Sequence, residues 1–230
     1  MDPNRKFWNG QQQALRQSLA HPEEHSKAIE LFLRQHAMVH TAEMSGMERW
    51  SFEDEALEEV SLEQMRRMPG GCEHSLAWVI WHMTRIEDVT MNLLAAGSHQ
   101  LLLEGGWSQR LETAARDTGN GMSAGDVAAL GNCINLEILR AYRLAVGRRT
   151  REIVKALHPS DLREKVDPQR LRQVHLDGAV VPGAGDLLEY WGGLTLAGLL
   201  LMPPTRHNFV HWNEALKIKQ KLTKERNENS

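Results

Sequence analysis

The chain has 230 residues and a formal charge of −3, with an isoelectric point near 6.4, so nothing in its overall charge draws it to nucleic acid or anionic lipid. Hydrophobic residues at 41% and charged residues at 25% fit one large globular domain. Two cysteines, Cys72 and Cys133, stand far apart without CxxC spacing, which argues against a disulfide framework and fits a reducing compartment. The opening MDPNRKFWNGQQQ has no apolar core of the kind a signal sequence needs. The longest apolar stretch, residues 194–202, is too short to cross a bilayer. A cytoplasmic protein with no membrane and no nucleic-acid partner is expected.

Helical periodicity dominates, and alternating runs of Val, Ile and Thr are nearly absent. The first long helix is expected over residues 22–47, with Ile29, Leu33, His36, His40 and Met47 on one face. FEDEALEEV makes a short helical piece, and SLEQMRRMP follows it with a capping-box pattern at Ser61 and Gln64. The second long helix spans residues 73–96 and stops at Gly97. Residues 98–122 hold several glycines without a period and read as a long loop, of the kind that borders functional sites.

A short helix opens at Ser123, and the third long helix covers residues 135–157. Residues 160–182 read as short helical pieces and loops, and residues 184–201 as one or two short helices interrupted at Gly192-Gly193. Pro203-Pro204 then breaks the chain, and Thr205 caps a fourth long helix over residues 205–222. The reading is all-α: an antiparallel four-helix bundle in a single domain, 1–230, with insertions at 98–122 and 159–200.

The chemistry-bearing residues are histidines. His207, His211, Ala215, Ile218 and Leu222 share one face of the last helix, so two imidazoles replace core residues one turn apart. An HxxxH pair alone is weak evidence, because 11 histidines give three such pairs: His21/His25, His36/His40 and His207/His211. For any one of them a hydrogen-bonded pair is the plainer reading. His82 alters the balance, since in AWVIWHMTRIED it shares an inward stripe with Val79, Met83, Ile86, Val89 and Leu93. Three inward imidazoles from two helices satisfy one another through a shared divalent cation and leave positions open for water or substrate.

A histidine in a W-x-x-W-H-x-x-R-I-E-D helix, followed by an HxxxH helix near the chain end, resembles the DinB/YfiT-like superfamily. The lead-in ALEEVSLEQMRRMP resembles it too, and the likeness covers residues 26–97 and 124–222. That resemblance implies a four-helix bundle whose metal, usually nickel or zinc, is held by one histidine of the second helix and two of the last. By motif these are His82, His207 and His211. It further implies a small-molecule substrate, with a low-molecular-weight thiol such as bacillithiol or mycothiol in S-transfer or isomerisation chemistry, and pairing into homodimers. The segments 98–122 and 159–200 exceed a minimal member and reshape the pocket.

Further residues carry weaker expectations. His40, ahead of His36, is an additional metal ligand or a partner of one, against a buried hydrogen-bonded pair. Glu214 orients an imidazole or acts as a base, against a surface salt bridge. Arg85 meets an anionic substrate or pairs with Asp88. Trp78 and Trp81 pack the core first and line a pocket second, Trp107, Tyr190 and Trp191 are lid candidates, and Cys72 stands near the mouth. Two functional readings compete: a metal-dependent transferase or hydrolase, and a non-catalytic, metal-stabilised, dimeric helical module with a stress-related role.

Overall fold

The computed structural model describes residues 2–46 and 50–228, so Met47 of the expected first-helix stripe lies outside the described residues. The first helix, α1 (Pro3–Leu19), starts at Asp2, whose carboxylate accepts from the Arg5 amide at 3.0 Å. Pro3 then sits in the first turn, where its missing N–H costs nothing. Periodicity gives no helix here, because Gln12 stands in the stripe of Trp8, Leu15 and Leu19. The structure supplies the reason for that glutamine: its amide donates to the Leu201 carbonyl at 2.8 Å.

The expected helix over 22–47 is divided. A 3-10 turn (Pro22–Glu24) leads into α2 (His25–Met38), and α3 (Ala42–Ser45) follows after a break. Thr41 caps α3 by accepting from the Glu43 amide at 3.1 Å. The Val39 carbonyl exposed by the break accepts from the Trp212 indole at 2.7 Å and from Arg143 at 2.8 Å. The capping chemistry of Thr41 thus overrides a continuous apolar stripe.

Short helices α4 (Phe52–Leu57) and α5 (Leu62–Arg66) come next, the second opened by the Ser61/Gln64 capping box. Then comes α6 (Leu76–Glu87), which a π-helical segment (Asp88–Ala95) continues without a break. Gly97 stands just beyond with φ of +68°, a conformation that favours glycine. Every residue from 75 to 95 is buried. The stripe read from sequence underestimates this, because α5, α8 (Ala124–Cys133), α9 (Leu136–Ala156), the residue 202–207 segment and α13 (Asn208–Glu228) all pack around α6.

The stretch 98–122 is less irregular than expected, holding a 3-10 turn (Leu101–Leu103) and α7 (Trp107–Arg110). Asn135 caps α9 by accepting from the Ile138 amide at 3.2 Å. A 3-10 turn (Asp161–Arg163), α10 (Pro168–Leu176) and α11 (Gly185–Gly192) fill the segment before the last long run.

That last run corrects the expectation of a break at Pro203-Pro204 and a cap at Thr205. Helical structure continues from α12 (Leu196–Leu201) through a π-helical segment (Met202–His207) into α13. Pro204 has no N–H to offer the Leu200 carbonyl, and the buried Thr205 hydroxyl donates to that carbonyl instead, at 2.9 Å. The wider π turn accommodates the proline rings that an α turn would exclude.

The fold is all-helical, with no strand among the described residues beyond an isolated bridge between Lys165 and Thr195. Two apolar clusters divide the interior. One contains Trp8, Phe52, Trp78, Trp81, Tyr142 and Trp212. The other contains Phe32, Val89, Leu94, Val154, Trp191 and Leu199. Helix α6 gives Leu76 to Met83 to the first cluster and enters the second at Ile86. Its buried polar residues, His82, Thr84, Arg85 and Glu87, lie around that passage. No helix among the described residues is long and apolar enough to cross a membrane.

Candidate metal centre

His82 lies in the middle of α6, His207 ends the π turn after the double proline, and His211 follows one turn later on α13. The three rings converge. Their centroids stand 4.9 Å (His82–His207), 4.7 Å (His82–His211) and 4.5 Å (His207–His211) apart. One ring nitrogen of each lies within 4.8 Å of the others. His82 Nε2 and His207 Nε2 face each other at 3.1 Å. Two nitrogens each about 2.0–2.1 Å from one ion stand roughly 3 to 3.5 Å apart, so this spacing fits shared coordination.

Outer contacts fix which nitrogen faces inward. His82 Nδ1–H donates to the Thr118 carbonyl at 2.6 Å, which leaves its Nε2 as a lone pair aimed at the centre. His211 Nδ1–H donates to Glu214 at 2.8 Å, and the other oxygen of that carboxylate accepts from His74 Nδ1–H at 2.7 Å. The Trp78 indole is a spacer, stacked on His74 at 3.5 Å and on His82 at 4.6 Å. His207 Nδ1 is buried without a partner among the described residues.

Electrostatics favour the neutral, ligating form. Burial, with a smaller effect of His211, lowers the His82 pKa to about 3. Burial and the two neighbouring imidazoles hold His207 well below its usual value. Burial alone would raise Glu214, but hydrogen bonds from His211 and His74 outweigh it and hold the carboxyl below the ordinary range. Neutral His82 and His207, with an outer carboxylate on His211, fit a divalent ion, which needs deprotonated nitrogen donors. His82 is 3% exposed, while His207 and His211 are half-buried, so the cluster is reached from the α13 side.

The other candidates fall elsewhere. His40 and His36 are fully buried in a separate group around Glu87. Arg85 is also fully buried. It donates to Asp88 (2.9 Å), the Tyr142 hydroxyl (2.9 Å), Gln100 (2.6 Å) and, from two nitrogens, the Arg116 carbonyl. Its pairing with Asp88 is therefore part of a closed network that occupies the guanidinium on every side. Trp81 donates to the Asp117 carbonyl at 3.1 Å. Trp191 is 1% exposed within the second apolar cluster, Trp107 packs on Tyr142, and Tyr190 is exposed. Cys72, half-buried, packs against the first cluster, and both cysteines are free thiols.

Four residues of these networks escape sequence reasoning: Glu87, His74, Thr118 and Asn208. Glu87 is the glutamate of the R-I-E-D end of the α6 motif and carries a signal, since a carboxylate inside a buried helix needs a partner. Thr118 acts through its backbone carbonyl, which no side-chain pattern reveals.

Fold and site together define an all-helical protein with a cluster of three histidines whose spacing could hold a metal ion. A model of the DinB superfamily matches residues 50–185, which is more than half of the chain, and the chain belongs to that superfamily. The matched region contains His82, Arg85 and Glu87 and ends before His207 and His211. No curated protein matches the chain.

Proposed function

We propose that the protein is a metal-dependent enzyme whose divalent ion, nickel or zinc, is held by His82, His207 and His211. The observation that carries this reading is the 3.1 Å approach of two Nε2 atoms with a third imidazole beside them. When bound, such an ion supplies Lewis acidity that activates a water or thiol at neutral pH. The chain's own contribution is positional. Thr118 and Glu214 fix the orientation of two imidazoles, the Trp78 stack restrains His82, and burial keeps His82 and His207 unprotonated. Glu214 is accordingly a positioning residue, held by two histidines rather than free as a base.

The finer reading is thiol transfer with a low-molecular-weight thiol, ahead of hydrolysis, in a cytoplasmic protein that pairs as a homodimer. The four long helices α2, α6, α9 and α13 then correspond to an antiparallel bundle, with α1 and the 159–200 segment added around it. The partial exposure of His207 and His211 supports a substrate-accessible centre over a purely structural one.

The test is elemental analysis of protein purified without an affinity tag, beside His82→Ala. Stoichiometric divalent metal is expected in the native protein, with the ion of this centre lost in the variant. Full occupancy in His82→Ala would overturn the assignment. Titration with a small thiol, read by competition with Co2+ absorption, then separates a thiol-using enzyme from a metal-stabilised module.

A further inference from the structure

The second histidine group repeats the construction of the first. His36 lies near the end of α2 and His40 just beyond it, four residues apart as His207 and His211 are on the last helical run, and each pair is completed by one residue of α6. For the first pair that residue is His82; for the second it is Glu87, five positions further along. Central helix α6 is thus flanked by two HxxxH elements, each delivering two imidazoles to it.

The donor atoms of the second group meet closely. His36 Nε2 lies 2.8 Å from Glu87 Oε1, and His40 Nε2 lies 2.9 Å from Oε2. The two rings stand 4.3 Å apart. Thr150 Oγ1 approaches Oε1 at 2.8 Å, and Asn208 Nδ2 approaches Oε2 at 2.9 Å. Asn208 also donates to the Pro204 carbonyl, which leaves its Oδ1 buried without a partner. The surroundings are shaped to the His40 ring. Position 147 is glycine, and a Cβ there would stand 2.8 Å from His40 Nδ1.

His36, His40 and Glu87 are fully buried. Burial lowers the His40 pKa to about 3 and lowers His36 as well, so the imidazoles are neutral near pH 7. Burial opposes ionisation of Glu87, yet the contacts from His40 and His36 hold its carboxyl well below the usual range. The carboxylate is thus enclosed by His36, His40, Thr150 and Asn208. Nearby Arg143 donates to Glu53 at 2.6 Å and to the Val39 carbonyl, and its Nη1 is buried without a partner among the described residues.

We propose that His36, His40 and Glu87 form a second metal site, taking a divalent first-row ion through two Nε2 atoms and the carboxylate. Two imidazoles and a carboxylate are a harder donor set than three imidazoles and suit ferrous iron, manganese or zinc. Ligand atoms 2.8–2.9 Å apart fit adjacent positions around an ion at about 2.1 Å. Binding shifts each imidazole proton from Nε2 to Nδ1, and the Thr150 and Asn208 contacts to the carboxylate persist as its outer support.

The experiment counts ions. Tag-free protein is stripped with chelator, dialysed against Co2+ or, separately, Zn2+, and measured by elemental analysis. Two ions per chain are expected for the native sequence, one for His40→Gln, one for His82→Ala and none for the double variant. A His40→Gln variant that binds as many ions as the native protein overturns the second site and leaves Glu87 a hydrogen-bonded hub. If His40→Gln loses its helical circular dichroism, anomalous diffraction from Co2+-loaded native crystals decides. A peak enclosed by His36, His40 and Glu87 supports the site, and its absence at full loading overturns it. Failure of the three-histidine site would show separately, as a His82→Ala count equal to native.

Discussion

Single side chains in this protein act through their second contacts as much as their first. Glu214 is the plainest case, because one carboxylate oxygen orients His211 and the other holds His74. Glu214→Gln keeps the size and one acceptor but removes the charge that strengthens the imidazole as a donor. The expected result is a loss of metal affinity of about 10–100-fold, measured by competition with a chromogenic chelator; unchanged affinity would contradict the role given to Glu214. At this scale the sequence was informative only where spacing carried the signal. His82, His207 and His211 could be placed together because i, i+4 periodicity and one buried helix point them inward. Glu87 could not be assigned its partners, since His36, Thr150 and Asn208 reach it from three other helices.

Elements are shaped by residues that interrupt them. Pro203 and Pro204 widen the last helical run, and Thr205 and Gln12 serve the carbonyls of Leu200 and Leu201. A sequence reading takes a double proline as a stop because it cannot see those remote donors. Caps and glycines were more legible: Ser61, Ser123, Asn135 and Gly97 stand at element ends. The 98–122 stretch shows how a connection directs chemistry. Gly119 has φ of +81°, and a Cβ there would lie 3.0 Å from the Trp78 indole nitrogen. Replacing it strains the backbone next to the Thr118 carbonyl that aims His82. Gly119→Ala should destabilise the protein by about 1–3 kcal/mol and weaken metal binding, read by thermal melts with and without Zn2+. A melt and an affinity equal to native would remove the loop from the site's support.

The whole molecule buries several imidazoles in neutral form, and its acid response follows. His40 and His82 titrate near 3 in the folded chain, against about 6.5 when unfolded. Between those values the unfolded chain binds more protons, so stability is full above about pH 6.5 and falls as pH drops through the window. Each such histidine contributes about 1.4 kcal/mol per pH unit there. Metal-free protein should therefore melt well below its neutral-pH temperature at pH 5, and an unchanged melt would show that the imidazoles are charged or exposed. At this scale the helical class and the long helices were visible in the periodicity. The N-terminal α1 and the total burial of α6 were not, because both depend on packing partners distant in sequence.

His82 and Glu87 stand five positions apart on one rod, and that offset has an evolutionary consequence. A residue gained or lost between them would rotate everything beyond it by about 100°, swinging Glu87 away from His36 and His40 while His82 stayed in place. Changes in the length of this short interval are therefore excluded, and the two ends of the interior are bound to inherit their spacing as a unit.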